Sequence, residues 1–315
     1  MDSKVLLSVK DLSKKFNNFY AVDKISFSVN RGEVFGLLGP NGAGKTTTIK
    51  MLCGLLKSDS GEIIINGCSL SSDYNRVKPM IGLCPQEIVV WEHLTCIEQL
   101  KFIIMSYDKP SKWAGNKAES LLQTLGLWDK RNKLAKTLSG GMQRRLNIAL
   151  AVAHEPELII LDEPQAGLDP QSRILVRDFL RELAKDKTVI LTTHDMDEAD
   201  RLSDRLAIID QGKILYMDTP ENIKQQSGEG DILQIRVGEV SAELVNNILA
   251  ALPKEFIMKK FSDCFFLLEA NEILEQIPTV NRIIKSFNLE IEDMTIRKRT
   301  LEDAFISITG RGLRE

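Results

Sequence analysis

Hydrophobic and polar positions change rhythm several times along this chain. Ile25, Phe27 and Val29 alternate with polar neighbours, the period-two signature of a half-buried strand within a β-rich first sixty residues. Asn30-Arg31-Gly32 reads as a turn into Val34–Leu38, a short apolar run of the kind that becomes a buried strand. Ile63-Ile64-Ile65 runs into Asn66-Gly67, a strand followed by a strong hairpin turn. From about residue 90 to 135 the apolar positions take helical spacing, which predicts a helical insertion. Strands and helices then alternate. Residues 158–161 and 188–193 read as buried strands and 172–185 as a helix, with Asp195 capping the helix that follows. Residues 206–210 and 213–218 flank Gln211-Gly212 as a late hairpin. This alternation predicts a mainly parallel sheet.

Residues 225–231 are polar and contain glycine, and read as a linker. Beyond them come a strand (232–237), a helix (242–252), two strands (256–261 and 264–269), a helix (271–287) and a strand (290–297). The βαββαβ order predicts a small ferredoxin-like α+β module over 231–315. A last helix starts at Thr300, which has capping-box spacing to Asp303. Leu301, Ala304, Phe305 and Ile308 then share one face, expected to pack on the chain itself.

Composition narrows the classes. The 315 residues allow one large domain or two, and 43% hydrophobic content is ample for a core. A net charge of −3 argues against a dedicated nucleic-acid surface. No apolar run approaches the roughly 20 residues that span a bilayer. The start, Met1-Asp2-Ser3-Lys4, lacks the apolar stretch of a secretory signal. The five cysteines are scattered without a Cys-x-x-Cys pair, as expected of reduced thiols in a cytosolic protein. A membrane role therefore requires a partner.

Candidate chemistry sits where strands end. Gly39-Pro40-Asn41-Gly42-Ala43-Gly44-Lys45-Thr46 fits the phosphate-binding loop, between the 34–38 strand and a helix starting near Thr47. Its glycines let backbone N–H groups turn towards phosphate oxygens, and the helix N-terminus adds positive partial charge. Lys45 can reach the β- and γ-phosphates and Thr46 can ligate Mg²⁺. The expectation is a P-loop NTPase core that binds a nucleoside triphosphate. The 158–161 run ends in Asp162 and Glu163, one carboxylate placed to hold Mg²⁺ and the next to accept a proton from attacking water. Ser139-Gly140-Gly141 opens a helix with Met142, Leu146, Ala149, Leu150 and Ala153 on one face. That helix end is either a simple N-cap or a second anion site, which a head-to-tail pair of chains would use.

Gly39–Thr46, Gln86, Leu138–Gln143, Leu158–Glu163, Gly167-Leu168-Asp169 and His194 occur in that order. Together they resemble the nucleotide-binding subunit of an ABC transporter, over about residues 4–220, with the serine-glycine-glycine signature the most specific part. The resemblance implies an α/β ATP-binding domain over 1–225, with an antiparallel β subdomain and a helical subdomain at about 90–150. It implies ATP and Mg²⁺ as cofactors. Lys45 would grip phosphates, Thr46 and Asp162 would serve Mg²⁺, and Glu163 would be the general base. His194 would contact the γ-phosphate and position Glu163. Gln86 would sense Mg²⁺ and the attacking water. Ser139, Gly140 and Gly141 would reach the γ-phosphate across a dimer of two copies, with Asp169 at the dimer contact.

Two departures stand out. The family stacks adenine on a Tyr near the N-terminus; the matching position is Phe16, with Tyr20 close enough to compete and a core role for Phe16 also open. Gln165 stands where the family has Thr or Ser. The end of the chain, Leu301-Glu302-Asp303-Ala304-Phe305 and on to Thr309-Gly310-Arg311, resembles the tail of drug-resistance-type export ATPases. This implies integral membrane permease subunits as partners, met between Gln86 and Leu100, where Trp91 lies either in the groove or in the core. An importer ATPase with a ligand-sensing C-terminal module and a soluble ABC-type ATPase acting on nucleic acid are the competing expectations.

Overall fold

The computed structural model describes residues 4–226, 230–237, 242–253, 256–262, 265–270 and 273–309. Parts of four sequence expectations lie outside the described residues: 227–229 of the linker, the starts of the 264–269 strand and 271–287 helix, and Gly310-Arg311. The chain divides into two compact units, with the boundary after Pro220.

The first unit opens with a long hairpin, β1 (Val5–Phe16) and β2 (Phe19–Asn30). β3 (Val34–Leu38) and α1 (Lys45–Leu52) follow, then β4 (Ser60–Ile65) and β5 (Cys68–Ser69). A single turn, α2 (Tyr74–Val77), leads to β6 (Ile81–Cys84). Next come α3 (Cys96–Met105), α4 (Ser111–Thr124) and α5 (Gly140–Val152). The remainder alternates: β7 (Leu158–Asp162), α6 (Pro170–Ala184), β8 (Thr188–Thr193), α7 (Met196–Leu202), β9 (Arg205–Asp210) and β10 (Lys213–Asp218).

Two sheets result. An antiparallel sheet has the order β2-β1-β4-β5, and a larger sheet the order β10-β9-β3-β8-β7-β6. In the larger sheet β9, β3, β8, β7 and β6 run parallel, and β10 joins as the antiparallel edge. The mainly parallel sheet is thus as expected. Alternate residues of β7 feed different cores: Leu158 and Ile160 pack with the antiparallel sheet, Ile159 and Leu161 with the helical region. A strand buried on both faces needs an unbroken apolar run, which is why β3, β7 and β8 read so plainly. Phe27 of β2 and Phe35 of β3 stack with parallel ring planes 5.3 Å apart, joining the two sheets. Asn66-Gly67 and Gln211-Gly212 both take positive φ at both positions, the turn that matches strand twist.

The second unit starts with α8 (Pro220–Gln226), so Gln225 and Gln226, expected in a linker, instead end a helix with a Lys224–Glu221 ion pair one turn apart. It continues β11 (Asp231–Val237), α9 (Ala242–Ala251), β12 (Ile257–Ser262), β13 (Phe265–Ala270), α10 (Ile273–Ser286), β14 (Ile291–Arg297) and α11 (Leu301–Thr309). The sheet order is β12-β13-β11-β14, all antiparallel, the ferredoxin-like arrangement. Its core includes Leu233, Ile235, Phe266, Leu268, Val280 and Ile284. The capping box forms at α11: Thr300 N donates to Asp303 Oδ2 at 2.9 Å, and Asp303 N to Thr300 Oγ1 at 3.3 Å. Leu301, Ala304 and Phe305 are buried.

Candidate functional site

The parallel strands all end at one edge of the sheet, and ligands of open α/β sheets bind there. β3 ends at Gly39, β7 at Asp162-Glu163, β8 at His194, and β6 leads to Gln86. Because β3 pairs with β8 and β8 with β7, the phosphate loop, His194 and the two acids become neighbours.

The loop is held tightly from behind. A Cβ on Gly39 would lie 2.1 Å from Ile209 O, and one on Gly44, at φ +105, would lie 2.4 Å from Ala21 O. Only glycine fits at both positions. Gly212 N donates to Ala43 O at 3.0 Å, so the late hairpin supports the loop. Asn41 and Gly42 are exposed, Pro40 is half-buried, Ala43 is buried, and Gly44 precedes α1, where Thr46 and Thr47 are half-buried. Lys45 is buried: its Nζ donates to Gly39 O at 2.6 Å and Pro40 O at 3.2 Å, and lies 3.5 Å from Glu163 Oε1. Burial holds this ammonium below its ordinary pKa, against the opposing pull of the Glu163 carboxylate.

Both acids are buried. Thr192 Oγ1 donates to Asp162 Oδ1, which orients that carboxylate. Glu163 has φ +53, an uncommon conformation for a side chain of its size. Its Oε2 lies 2.8 Å from His194 Nδ1, so one carboxylate lies between Lys45 and His194. The His194 turn is itself braced: Asp195 N donates to Thr193 Oγ1 at 2.9 Å, and Thr193 Oγ1 to Glu198 Oε2 at 2.6 Å. Burial pushes the Glu198 carboxyl up to about 7.

A second cluster forms around the start of α5. Ser139 is exposed and its Oγ accepts from Met142 N at 3.3 Å, so it is the N-cap of α5. Gly140 is exposed; a Cβ on Gly141 would lie 3.6 Å from Asp169 Oδ2, so Asp169 is its neighbour. Asp169 caps α6, and hydrogen bonds from Ser172 N and then Oγ hold its carboxyl below the usual range. Among the described residues no hydrogen bond or ion pair joins this cluster to the Lys45–Glu163–His194 group.

Gln86 is exposed beyond β6. Phe16 and Tyr20 lie on the β1–β2 hairpin at 48% and 46% exposure, which excludes a core role for Phe16. Trp91 is 44% exposed and packs edge-to-face on Phe102. It lines a groove of about 350 Å³ with Val89, Ile103, Tyr107, Leu150 and His154, so the groove position holds and the core position does not. The four described cysteines are free and buried; burial pushes Cys53 and Cys84 up to about 12, so neither supplies a thiolate.

One side chain beside the site went unread in the sequence. Arg144 of α5 is 2% exposed and donates to main-chain carbonyls of the loops after β6 and β7. Its neighbour Arg145 is also basic, so the sequence carries no local signal that sets Arg144 apart.

Comparison with known proteins agrees with this geometry. The family model described as "ABC transporter" matches residues 22–166. The linearmycin resistance ATP-binding protein LnrL of Bacillus subtilis (strain 168) is 33% identical, over 98% of this chain and 100% of that protein. The daunorubicin/doxorubicin resistance ATP-binding protein DrrA of Streptomyces peucetius is 35% identical, over 96% of this chain and 92% of that protein. Among solved structures, an ATP-binding subunit of an ABC transporter matches with TM-score 0.66 and 32% identity, over 70% of this chain and 92% of its own. The cassette MJ0796, solved as a dimer in a post-hydrolysis state bound to ADP and Pi, matches with TM-score 0.63 and 25% identity, over 68% of this chain and 98% of its own. Similar along nearly its whole length to ATP-binding proteins of this kind, and built as the same cassette, the chain belongs to the ABC transporter family and is one of its ATPases.

Proposed function

We propose that this chain is the ATP-hydrolysing subunit of an exporter, and that two copies pair head to tail around two ATP molecules. Each ATP is held by the Lys45 loop of one copy and by the Ser139-Gly140-Gly141 helix end of the other. The observation that carries this reading is the presence of two phosphate-type helix ends on one chain, of which only the first brings a side chain, Lys45, to the Glu163 carboxylate that His194 also meets. Asp169, beside Gly141, lies at the contact between copies.

Within each site the backbone of Gly39–Thr47 wraps the phosphates, and Lys45 Nζ exchanges its carbonyl partners for phosphate oxygens. Thr46, Asp162 and Gln86 form an all-oxygen donor set suited to Mg²⁺. When bound, that ion offsets phosphate charge. Water attacks the γ-phosphorus and Glu163 takes its proton; the water oxygen–phosphorus bond forms as the β–γ bridging bond breaks, and ADP departs with the electron pair. His194 holds the Glu163 carboxylate in place and reaches the γ-phosphate. Phe16, or Tyr20, stacks on adenine. ATP drives closure because it binds the closed pair better than the open one.

The Trp91 groove receives a segment of an integral membrane permease subunit. The chain then works at the cytoplasmic face of the membrane through that partner; among the described residues no helix is long and apolar enough to cross a bilayer. The exporter direction draws on relatives named for drug resistance and on the 33%-identical Nod factor export ATP-binding protein I of Ralstonia nicotianae. A net charge of −3 favours no nucleic-acid partner.

Glu163→Gln tests the core of the reading. With ATP it is expected to remain a dimer on size-exclusion chromatography while hydrolysing little. Turnover equal to the parent would remove Glu163 from the base role. Tagged protein captured from gently solubilised membranes is expected to bring a stoichiometric polytopic protein; soluble partners alone would sink the membrane assignment.

A further inference from the structure

Arg144, the largest fully buried side chain among the described residues, has no task in the hydrolysis described above. A guanidinium has five N–H donors in a fixed planar fork. Here all five end on main-chain carbonyls. Nε donates to Pro164 O at 3.2 Å, Nη1 to Pro85 O at 2.6 Å and Gln86 O at 2.9 Å, and Nη2 to Asp162 O at 2.6 Å and Glu163 O at 2.5 Å. Among the described residues Arg144 makes no ion pair, so its charge is balanced by these dipoles. A cation buried this way is tolerated only while its acceptors stay in place. Arg144 and the two loops therefore fix one another.

The acceptors matter as much as their number. Glu163 sits in the left-handed region at φ +53, a conformation that persists only when its surroundings over-determine it. Its N–H is held by Thr192 O at 3.2 Å and Thr192 Oγ1 at 3.1 Å; its carbonyl is held by Arg144. The same guanidinium grips the carbonyl of Gln86. One turn along α5, Asn147 Nδ2 donates to Glu87 O at 3.4 Å and extends this attachment.

We propose that Arg144 is a positioning residue for ATP hydrolysis. It pins the Glu163 backbone and the Gln86 loop to α5, so that both keep their working places only while α5 holds its orientation. The inference rests on the reading of Glu163 as general base. It also links the two phosphate-binding ends, since α5 begins at Ser139. Lysine cannot replace this clamp, because its single ammonium offers three donors from one point rather than a planar fork.

The test is a double-mutant cycle in the full-length protein, using parent, Arg144→Lys, Glu163→Gln and the double variant, with ATP turnover and ADP affinity as readouts. Arg144→Lys is expected to lower kcat about 100-fold, the scale of a 1 Å misplacement, with KM and ADP affinity near the parent's. On the Glu163→Gln background the same change is expected to cost nothing further, because the carboxylate it positions is gone. Parental turnover in Arg144→Lys, or the full loss repeated on the Glu163→Gln background, would overturn the proposal. If Arg144→Lys fails to bind ADP, Arg144→Gln takes its place in the cycle; loss of ADP binding in both makes Arg144 a residue of the fold alone and also overturns it. Failure of the functional reading looks different: Glu163→Gln by itself would then turn over like the parent, and both readings would fall.

Discussion

The starts of α1 and α5 are built from similar local chemistry. Each follows a glycine-bearing turn and offers unpaired backbone N–H groups. At α1 the turn is walled in: Gly39 and Gly44 touch neighbouring carbonyls so closely that no Cβ fits, and Lys45 is buried against Glu163. At α5 a Cβ on Gly140 would meet nothing within 4 Å, and Ser139 is exposed with one capping hydrogen bond. The first end is shaped by tertiary contacts and is complete within the chain. The second is an open surface whose geometry the chain leaves free for something that arrives. Similar helix ends thus carry different demands, and substitutions separate them.

The largest effect is expected at Lys45. Lys45→Ala removes the ammonium from a dry, enclosed loop where charge-assisted hydrogen bonds are strong. Losing two of them corresponds to roughly 4 kcal/mol, or about a thousandfold weaker ATP binding, measured by calorimetric titration. Near-parental affinity would break the comparison at its base, since the enclosed end would then not be the one that grips phosphate.

Next is a matched pair of glycine changes. Gly44→Ala forces a side chain into a left-handed position 2.4 Å from Ala21 O. Strain and displaced backbone together are expected to cost roughly 3 kcal/mol, read as a lower denaturation midpoint. Gly140→Ala adds its methyl to open space at a helix start, where alanine is the better helix former by up to about 1 kcal/mol. Its midpoint is expected to match or exceed the parent's, with any loss confined to the ATP-bound pairing of two copies. Equal destabilisation at both positions would erase the distinction.

How much of this was legible in the sequence follows the same division. The apolar runs of β3, β7 and β8 and the glycine-lysine loop are local patterns, and they read directly. That Gly39, Asp162, Glu163 and His194 share one sheet edge depends on the order β3-β8-β7, which no local pattern carries; here the family resemblance supplied the grouping. β1 was legible only as general β-richness, because its register shifts between Val9 and Leu12 interrupt the alternation. β6 is four residues long and holds Gly82, where a Cβ would strike Ala151 O at 2.1 Å, so packing of α5 rather than propensity explains its composition. Arg144 escaped notice for a related reason. Its partners are main-chain carbonyls, and a carbonyl carries no residue identity to read.

Near neutral pH the enclosed end should also respond where the open end does not, since Asp169 at the open end is held below the usual carboxylate range. Burial, with Asp195 and Glu163 as neighbouring charges and Arg173 opposing them, pushes Glu198 up to about 7 from an ordinary 4.5. The folded state then holds a proton that the unfolded state has released between about pH 4.5 and 7. Stability from this group is full at low pH and falls as pH rises through that window, levelling off above it. The difference corresponds to about 3 kcal/mol at most. Glu198→Gln should flatten this dependence, so that denaturation midpoints of parent and variant diverge between pH 5 and pH 8. Parallel curves would mean that Glu198 is already ionised in the fold at pH 5.

The smallest effect concerns how far the enclosed end extends beyond the phosphates. Phe16 and Tyr20 stand on the same hairpin, nearly equally exposed, with Lys14 over one ring at 5.7 Å and Lys15 over the other at 5.2 Å. Either ring could offer a face to adenine, and the family position favours Phe16. Stacking of a base on an aromatic side chain contributes about 1 kcal/mol at the low end, and these exposed rings belong there. Phe16→Ala is therefore expected to weaken ATP binding roughly fivefold, and Tyr20→Ala to leave it nearly unchanged. The same titration on inorganic triphosphate separates base from phosphate, since neither variant should alter that affinity. A loss in Tyr20→Ala alone would move adenine to the other ring. No loss in either would confine the enclosed site to the phosphates and leave the base, like the far side of the γ-phosphate, to surfaces outside the loop.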